Sequence, residues 1–451
     1  MRLYRLRAFL RRNGGKLSLL LLGTGVASGC RSPEPPQPNV AVILIDTLRA
    51  SYLELYGYPE ETAPFLNAMS QRSAVFDRAF STSSWTVPST ASLFTSLYPD
   101  QHGVVEGFFM LRRRNNRLRE AGKETVELTR LPASIATLPE RFQSMGYATF
   151  GLATNVHIDE PMSFHRGFDR FENHPKDPAS SILDRLRAWK TEIRGTKPFF
   201  LYLHLNDAHW PYEERLPYYQ RQEDDLADRR ARYLGEVSYV DEYIRKIHDE
   251  LALHENTILV FLSDHGEEFL DHGGYAHETH LYDELNRILM MFHAPFLGIE
   301  PARIDANVSL VDVLPTLLEL TGGEPFDSAE GTSLVPILRN ESGREELLQN
   351  LRRRILFAHR VMKNTPEPFW GAILRHWKLI ERPDSEREAY DHRTDPDERR
   401  NVYSRDPNQV PARLRAALDR FKARPAFQSE HNLVEVDEEL REHLEALGYV
   451  Q

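Results

Sequence analysis

Four apolar runs that each stop on a polar residue constrain this chain more than any other feature. "NVAVILID" (39–46) is continuous and β-branched and ends on Asp46. "ATFGLATN" ends on Asn155, and "PFFLYLHLND" ends on Asp207 with His209 two residues on. "NTILVFLSDHG" runs into Asp264 and His265. Unbroken apolar strands of this kind are buried on both faces, which requires a mainly parallel sheet with helices on each side. Helical spacing falls between them, in "TAPFLNAMSQRS" with Thr62 as its expected cap, in "SIATLPERFQSMGY", in "SSILDRLRAWKTEIRG", from Asp228 to about His254, and in "VSLVDVLPTLLELTG" (308–322). Strand and helix alternate, so the expected class is α/β. Open α/β sheets bind ligands beyond the carboxyl ends of their strands. Asp46, Asn155, Asp207, His209, Asp264 and His265 are therefore predicted to share one edge.

From about residue 326 the pattern changes. "FWGAILRHWKLIER" suggests antiparallel strands, and "VDEELREHLEALGY" suggests a closing helix. The expected division is a catalytic domain over 39–325 and a smaller α+β subdomain over 326–451.

The first 29 residues read as a secretory signal: a basic start with Arg2, Arg5, Arg7, Arg11, Arg12 and Lys16, then the apolar "LSLLLLGTGVASGC". Cys30 is the sole cysteine, and "ASGC" resembles a bacterial lipobox, so lipidation at Cys30 and a cell-envelope location are expected. The proline-rich 30–38 segment then acts as an extended tether. Loss of the six basic residues of the signal takes the net charge from −11 to −17. That acidity argues against nucleic acid as a partner. The one basic run, "LRRRNNRLR" (111–119), is either a solvated loop or a face toward an anionic substrate or headgroup.

Asp46, Asp264 and His265 are residue types that hold a divalent metal, although a single Asp after a strand often caps the next helix. In "SSWTVPSTASLFTSLYPDQHG" (83–103), Thr86 is a good helix cap, with Pro88 fitting the first turn. The same place, beside a metal, suits a hydroxyl nucleophile facing a bound anion. His209 lies after a strand and before Trp210-Pro211-Tyr212, as a pocket residue would, while His204 and Asp207 are weaker candidates. In "GGYAHETHLYDE", His277 can bind a second metal, contact substrate or protonate a leaving group, or simply lie on the surface.

These motifs occur in the order and form of the sulfatase family, within the alkaline phosphatase superfamily. The resemblance covers roughly 39–325, and "WKLIERPDSEREAYDHRTDPDERRNVY" with the terminal "LEALGYV" resembles the family's C-terminal subdomain. It implies an alkaline-phosphatase-like sandwich. It also implies Asp46, Asp264 and His265 as metal ligands, Thr86 as a nucleophile that also touches the metal, and His209 as a holder of the transferred group. His277 would be a leaving-group or second-metal residue, and Asn155 would stand where many sulfatases have a basic substrate contact. Classical sulfatases carry Cys or Ser, then x-Pro-x-Arg, and oxidise the first residue to formylglycine. Here the stretch is Thr86-Val87-Pro88-Ser89-Thr90. The threonine methyl blocks that oxidation to an aldehyde, and Thr90 replaces the arginine. Asp46-Thr47 stands for the usual Asp-Asp pair. A threonine nucleophile resembles the phosphoethanolamine transferases.

The expected activity is therefore metal-dependent hydrolysis or transfer of a sulfate or phosphate ester, leaning to phosphoryl transfer. Calcium, zinc or manganese would serve as the metal. A sulfated or phosphorylated glycan or lipid headgroup would be the substrate. The competing expectation is a lipoprotein that binds an anionic glycan or headgroup without turnover.

Overall fold

The computed structural model describes residues 37–107, 125–277, 279–362, 365–427 and 432–435. The signal, Cys30, the basic run 111–119 and the terminal helix lie outside the described residues.

The strands of the main sheet are β1 (Asn39–Ile45), β2 (Ala74–Phe80), β3 (Ala148–Ala153), β4 (Arg170–Asn173), β5 (Phe199–Leu205), β6 (Thr257–Ser263), β7 (Arg287–Ile288), β8 (Met290–His293) and β9 (Ala302–Ser309). They lie in the order β7-β2-β8-β6-β1-β5-β3-β4, with β9 pairing β2. The central run β6-β1-β5-β3-β4 is parallel throughout. β8 enters antiparallel between β6 and β2. A second, antiparallel sheet of β10 (Leu356–Met362), β11 (Thr365–Leu374), β12 (Trp377–Glu381) and β13 (Arg387–Asp391) follows. The described residues form one compact unit.

The main helices are α1 (Pro64–Ser70), α2 (Thr86–Thr95), α3 (Leu138–Ser144), α4 (Ala179–Ile193), α5 (Asp225–Glu250), α6 (Val313–Leu320), α7 (Arg344–Arg353) and α8 (Ala412–Ala423). The strand β1 shows why its run is unbroken. Val40, Val42 and Leu44 point into a core shared with α2, α3 and α6. Ala41, Ile43 and Ile45 point into the opposite core, shared with α4 and α5. All six are fully buried. Period-2 alternation thus sends every side chain into one of two cores.

Two local expectations are corrected. Thr62 does not cap α1; its hydroxyl donates to the Tyr52 carbonyl. The first amides of α1 instead meet Asp241 from α5, at 2.8 Å from Phe65 N and 2.9 Å from Leu66 N. The stretch 308–322 is not helical throughout. It begins in β9, passes a 3-10 turn (Leu310–Asp312), and becomes α6 only at Val313.

Candidate active site

The carboxyl ends of β1, β3, β5 and β6 share one edge of the sheet because these strands are parallel neighbours. The site is built there. Asp46 follows β1 and is completely buried. Its Oδ2 accepts from Asn155 Nδ2 at 2.6 Å and from His204 Nε2 at 2.9 Å. The Tyr202 hydroxyl donates to His204 Nδ1 at 2.8 Å, so both ring nitrogens of His204 are engaged.

The next residue, Thr47, has φ 56°, in the left-handed region that β-branched residues rarely adopt. This turn lets Thr47 N donate to Asp264 Oδ1 at 3.2 Å. The Thr47 hydroxyl donates to the Ala208 carbonyl at 2.7 Å, so it does not replace the second aspartate of the Asp-Asp pair as a ligand.

Thr86 is the first residue of α2. Trp85 occupies the cap position, and no side chain caps the helix. The Thr86 hydroxyl turns to the β1 and β6 ends instead. It stands 3.3 Å from Asp46 Oδ2, 3.4 Å from Asp46 Oδ1 and 3.3 Å from His265 Nε2. His265 Nδ1 donates to the Gly266 carbonyl at 2.9 Å, leaving Nε2 as a lone pair. That Nε2 is 3.6 Å from Asp46 Oδ1 and 3.5 Å from Asp264 Oδ2. Asp46, Thr86, Asp264 and His265 therefore converge.

The electrostatics of this cluster call for a cation. Burial pushes the Asp46 carboxyl up, but the His204 hydrogen bond and the imidazoles of His204, His209 and His265 outweigh it and hold Asp46 well below the usual range. Asp264 is pushed well up, first by burial and then by the charge of Asp46. Its Oδ2 is enclosed and has no hydrogen-bond partner. Burial lowers the His265 imidazole to about 3, so it stays a neutral lone-pair donor. Two carboxylates, a neutral imidazole and a hydroxyl around an orphaned oxygen fit a divalent metal. Asp46, His204 and Asp264 also have donor atoms within 4.8 Å of one another. The Asp46 bond and the Tyr202 bond already engage His204, which makes it a positioning residue for Asp46.

Beside this cluster runs a row of imidazoles. The His277 ring lies 4.8 Å from His265 and 4.7 Å from His209. Glu267, fully buried, holds His277 Nδ1 at 3.0 Å. His209 Nδ1 donates to the Trp210 carbonyl at 2.5 Å, which presents Nε2 to the cleft side. Burial and then the nearby His277 lower the His209 imidazole. Thr86, Asn155, His209 and His277 line one cavity of about 390 Å³, together with Trp85 and Trp210. Asn155 spends its amide on Asp46 and on Asn206 Oδ1, and its oxygen on His157 N. It therefore fixes the carboxylate rather than presenting a charge. Thr90, where the arginine would stand, is buried and neutral.

Neither Tyr202 nor Glu267 stands out in the sequence, and His204 is a weak candidate there. Glu267 sits two residues past His265 in "SDHGEE", and His204 alternates in β5 with core residues, so only the strand end hints at it.

Comparison with known proteins settles the family. The sulfatase family model matches residues 38–323, most of the chain. The chain is a member of the sulfatase family. A second model, N-sulphoglucosamine sulphohydrolase C-terminal, matches residues 271–424. This sulfatase is 24% identical to an ulvan-active sulfatase of Formosa agariphila, over 89% of this chain and 86% of that one. Its fold is similar to that of a 2-O GAG sulfatase, with a TM-score of 0.70, 19% identity, and coverage of 90% of this chain and 96% of that one. It is also similar to a phosphonate monoester hydrolase of Agrobacterium radiobacter, with a TM-score of 0.67, 17% identity, and coverage of 86% and 95%. The alkaline-phosphatase-like α/β architecture expected from the sequence is thus the observed one, and the relatives are ester hydrolases.

Proposed function

We propose that this sulfatase-family enzyme cleaves an anionic ester by attack of the Thr86 hydroxyl, and that it favours phosphoryl over sulfuryl transfer. The observation that carries the reading is the placement of Thr86 Oγ1, 3.3 Å from both Asp46 Oδ2 and His265 Nε2 and bonded to no helix amide. Asp46, Asp264, His265 and Thr86 would hold the metal. An imidazole in the donor set favours zinc or manganese over calcium, which prefers oxygen alone. When bound, the metal supplies charge for the substrate oxygens and lowers the hydroxyl pKa.

The chain's own groups then divide the work. Thr86 Oγ1 gives up its proton to solvent and forms the bond to phosphorus or sulfur, and the bond to the alcohol oxygen breaks. His277, oriented by Glu267, gives a proton to the departing alcohol. His209 orients an oxygen of the transferred group. Asn155 and His204 keep the Asp46 carboxylate fixed. Water or a second alcohol then releases the group from Thr86. A phosphoryl ester on threonine suits this route, because Thr86 cannot follow the aldehyde chemistry and Thr90 supplies no arginine.

The cleft wall has Trp210, 53% exposed, an apolar platform beside the polar floor. Together with the ulvan-active and GAG-sulfatase relatives, it supports a glycan as the carrier of the ester. The lipobox at Cys30 supports attachment to a bacterial envelope membrane.

The test is turnover of aryl phosphate monoesters, diesters, phosphonates and sulfates with zinc, manganese or calcium, with intact-protein mass followed in parallel. A phospho adduct that Thr86→Ala abolishes is the expected result. Turnover of the sulfate alone would overturn the phosphoryl preference. No turnover of any ester would return the protein to the binding-only alternative.

A further inference from the structure

A second cleft lies between the β2–β9 edge of the main sheet and the C-terminal sheet. It encloses about 510 Å³ and is lined by Arg78 of β2, Arg352 of α7, Arg375 in the β11–β12 turn, and Arg393 after β13. One carboxylate, Asp305, lines it as well. Asp391 neutralises Arg393 through bonds of 3.1 and 2.8 Å. Glu345 lies 3.9 Å from Arg352 Nη1. Among the described lining residues, Asp305 is the carboxylate left to face Arg78 and Arg375.

The cleft is built rather than incidental. Arg78 Nε donates to Asn307 Oδ1 at 2.7 Å, and its Nη2 donates to the Arg375 carbonyl at 2.6 Å. Asn307 Nδ2 donates to the same carbonyl at 3.0 Å. These bonds hold Arg375 at φ 55°, a conformation that side chains bearing a Cβ avoid. Arg375 gives its Nε to the Arg352 carbonyl at 3.3 Å. Its terminal nitrogens have no protein acceptor among the described residues. His376 feels the combined field: burial lowers its imidazole, Asp391 opposes, and Arg393, Arg78 and Arg375 lower it further. His392, another lining residue, is held from behind by two acids: its Nε2 lies 2.9 Å from Glu398 Oε1 and its Nδ1 3.7 Å from Asp283 Oδ2.

Guanidiniums that outnumber the carboxylates around them repel unless an anion joins them, and their forked donors match tetrahedral oxyanions. We propose that this cleft is a second oxyanion-binding site, which takes a sulfate or phosphate group. The group arrives either as the free ion or carried on a glycan. The site stands whatever chemistry Thr86 performs.

The test uses the full chain carrying ¹³C-labelled histidine, with the His376 ring signal assigned through His376→Gln. Sodium sulfate, sodium phosphate and a defined sulfated tetrasaccharide are titrated at constant ionic strength set with chloride. A saturable shift of the His376 signal is expected, weakened at least about tenfold by Arg375→Ala and unchanged by Thr86→Ala. The pair Arg352→Ala with Arg393→Ala, on side chains 51% and 63% exposed, should weaken it without loss of fold. Saturation by the tetrasaccharide at far lower concentration than by free sulfate would identify a glycan-borne group, and equal potency would identify the free ion. Absence of a saturable shift, or equal shifts in the wild type and both arginine variants, would overturn the proposal.

Discussion

Nε2 of His265 faces the Thr86 hydroxyl at 3.3 Å because the other ring nitrogen is tied to the Gly266 carbonyl. The relationship separates two roles that a threonine at a helix start can play. Thr86 makes no capping bond, so its side chain contributes little to holding α2. Thr86→Ala is expected to lower turnover by about a thousandfold or more, as loss of a nucleophile does. Thermal unfolding should stay close to wild type, since no cap is lost. Thr86→Ser should retain measurable activity. A melting shift as large as a lost cap would contradict this assignment.

His204 acts through Asp46, so its loss should be read in metal affinity. Its Nε2 reaches Asp46 Oδ2 at 2.9 Å, and Tyr202 fixes its tautomer. Replacement of such an outer partner typically weakens metal binding about 10- to 100-fold. His204→Phe should show that loss in a chelator competition, and His204→Gln, which can still donate to Asp46, should recover part of it. Equal affinity in all three proteins would make His204 a packing residue only.

The sequence disclosed the central strands and the edge on which Asp46, Asn155, His209, Asp264 and His265 gather. Strand polarity alone fixes that edge. It did not disclose β2 or β8. β2 reads "AVFDRAF", where two charged residues interrupt the apolar run, and β8 is only four residues long. Tyr202 and His204 were obscured by their place inside β5, where burial makes every residue look structural. The role of Asn155 depends on Asp46, 109 residues away, and no local pattern encodes that contact.

Glu267 holds His277 Nδ1 at 3.0 Å and is fully buried, so it fixes the orientation of the ring that is proposed to protonate the leaving group. Glu267→Gln keeps the shape but removes the charge. It should lower kcat about 10- to 100-fold for esters with poor leaving groups, a part of the roughly 100- to 10,000-fold that a positioned proton donor contributes, because the ring itself remains. Aryl esters with acidic phenols need little protonation and should be almost unaffected. A uniform loss across all leaving groups would count against His277 as the acid.

His102 and His359 make stability depend on acid. His102 is completely buried, and burial lowers its imidazole to about 3. Its Nδ1 accepts from Val104 N at 3.0 Å, and its Nε2 lies 3.1 Å from Ser92 Oγ, which suits the neutral ring. His359 is stacked on Trp370 at 4.1 Å, and burial lowers it to about 4. In the unfolded chain both return to the ordinary value near 6.5. The unfolded state therefore binds more protons once the pH falls below about 6.5, and stability drops as pH falls from there toward the folded values. Each ring adds a slope of up to about 1.4 kcal/mol per pH unit. Both contribute down to about pH 4, and His102 alone continues toward about pH 3. Above pH 7 neither ring titrates and the contribution is flat. Denaturant unfolding at pH 7, 6, 5 and 4.5 should show this decline, and His102→Gln should flatten it by one proton's worth. An unchanged slope in His102→Gln would show that the ring is protonated in the folded enzyme.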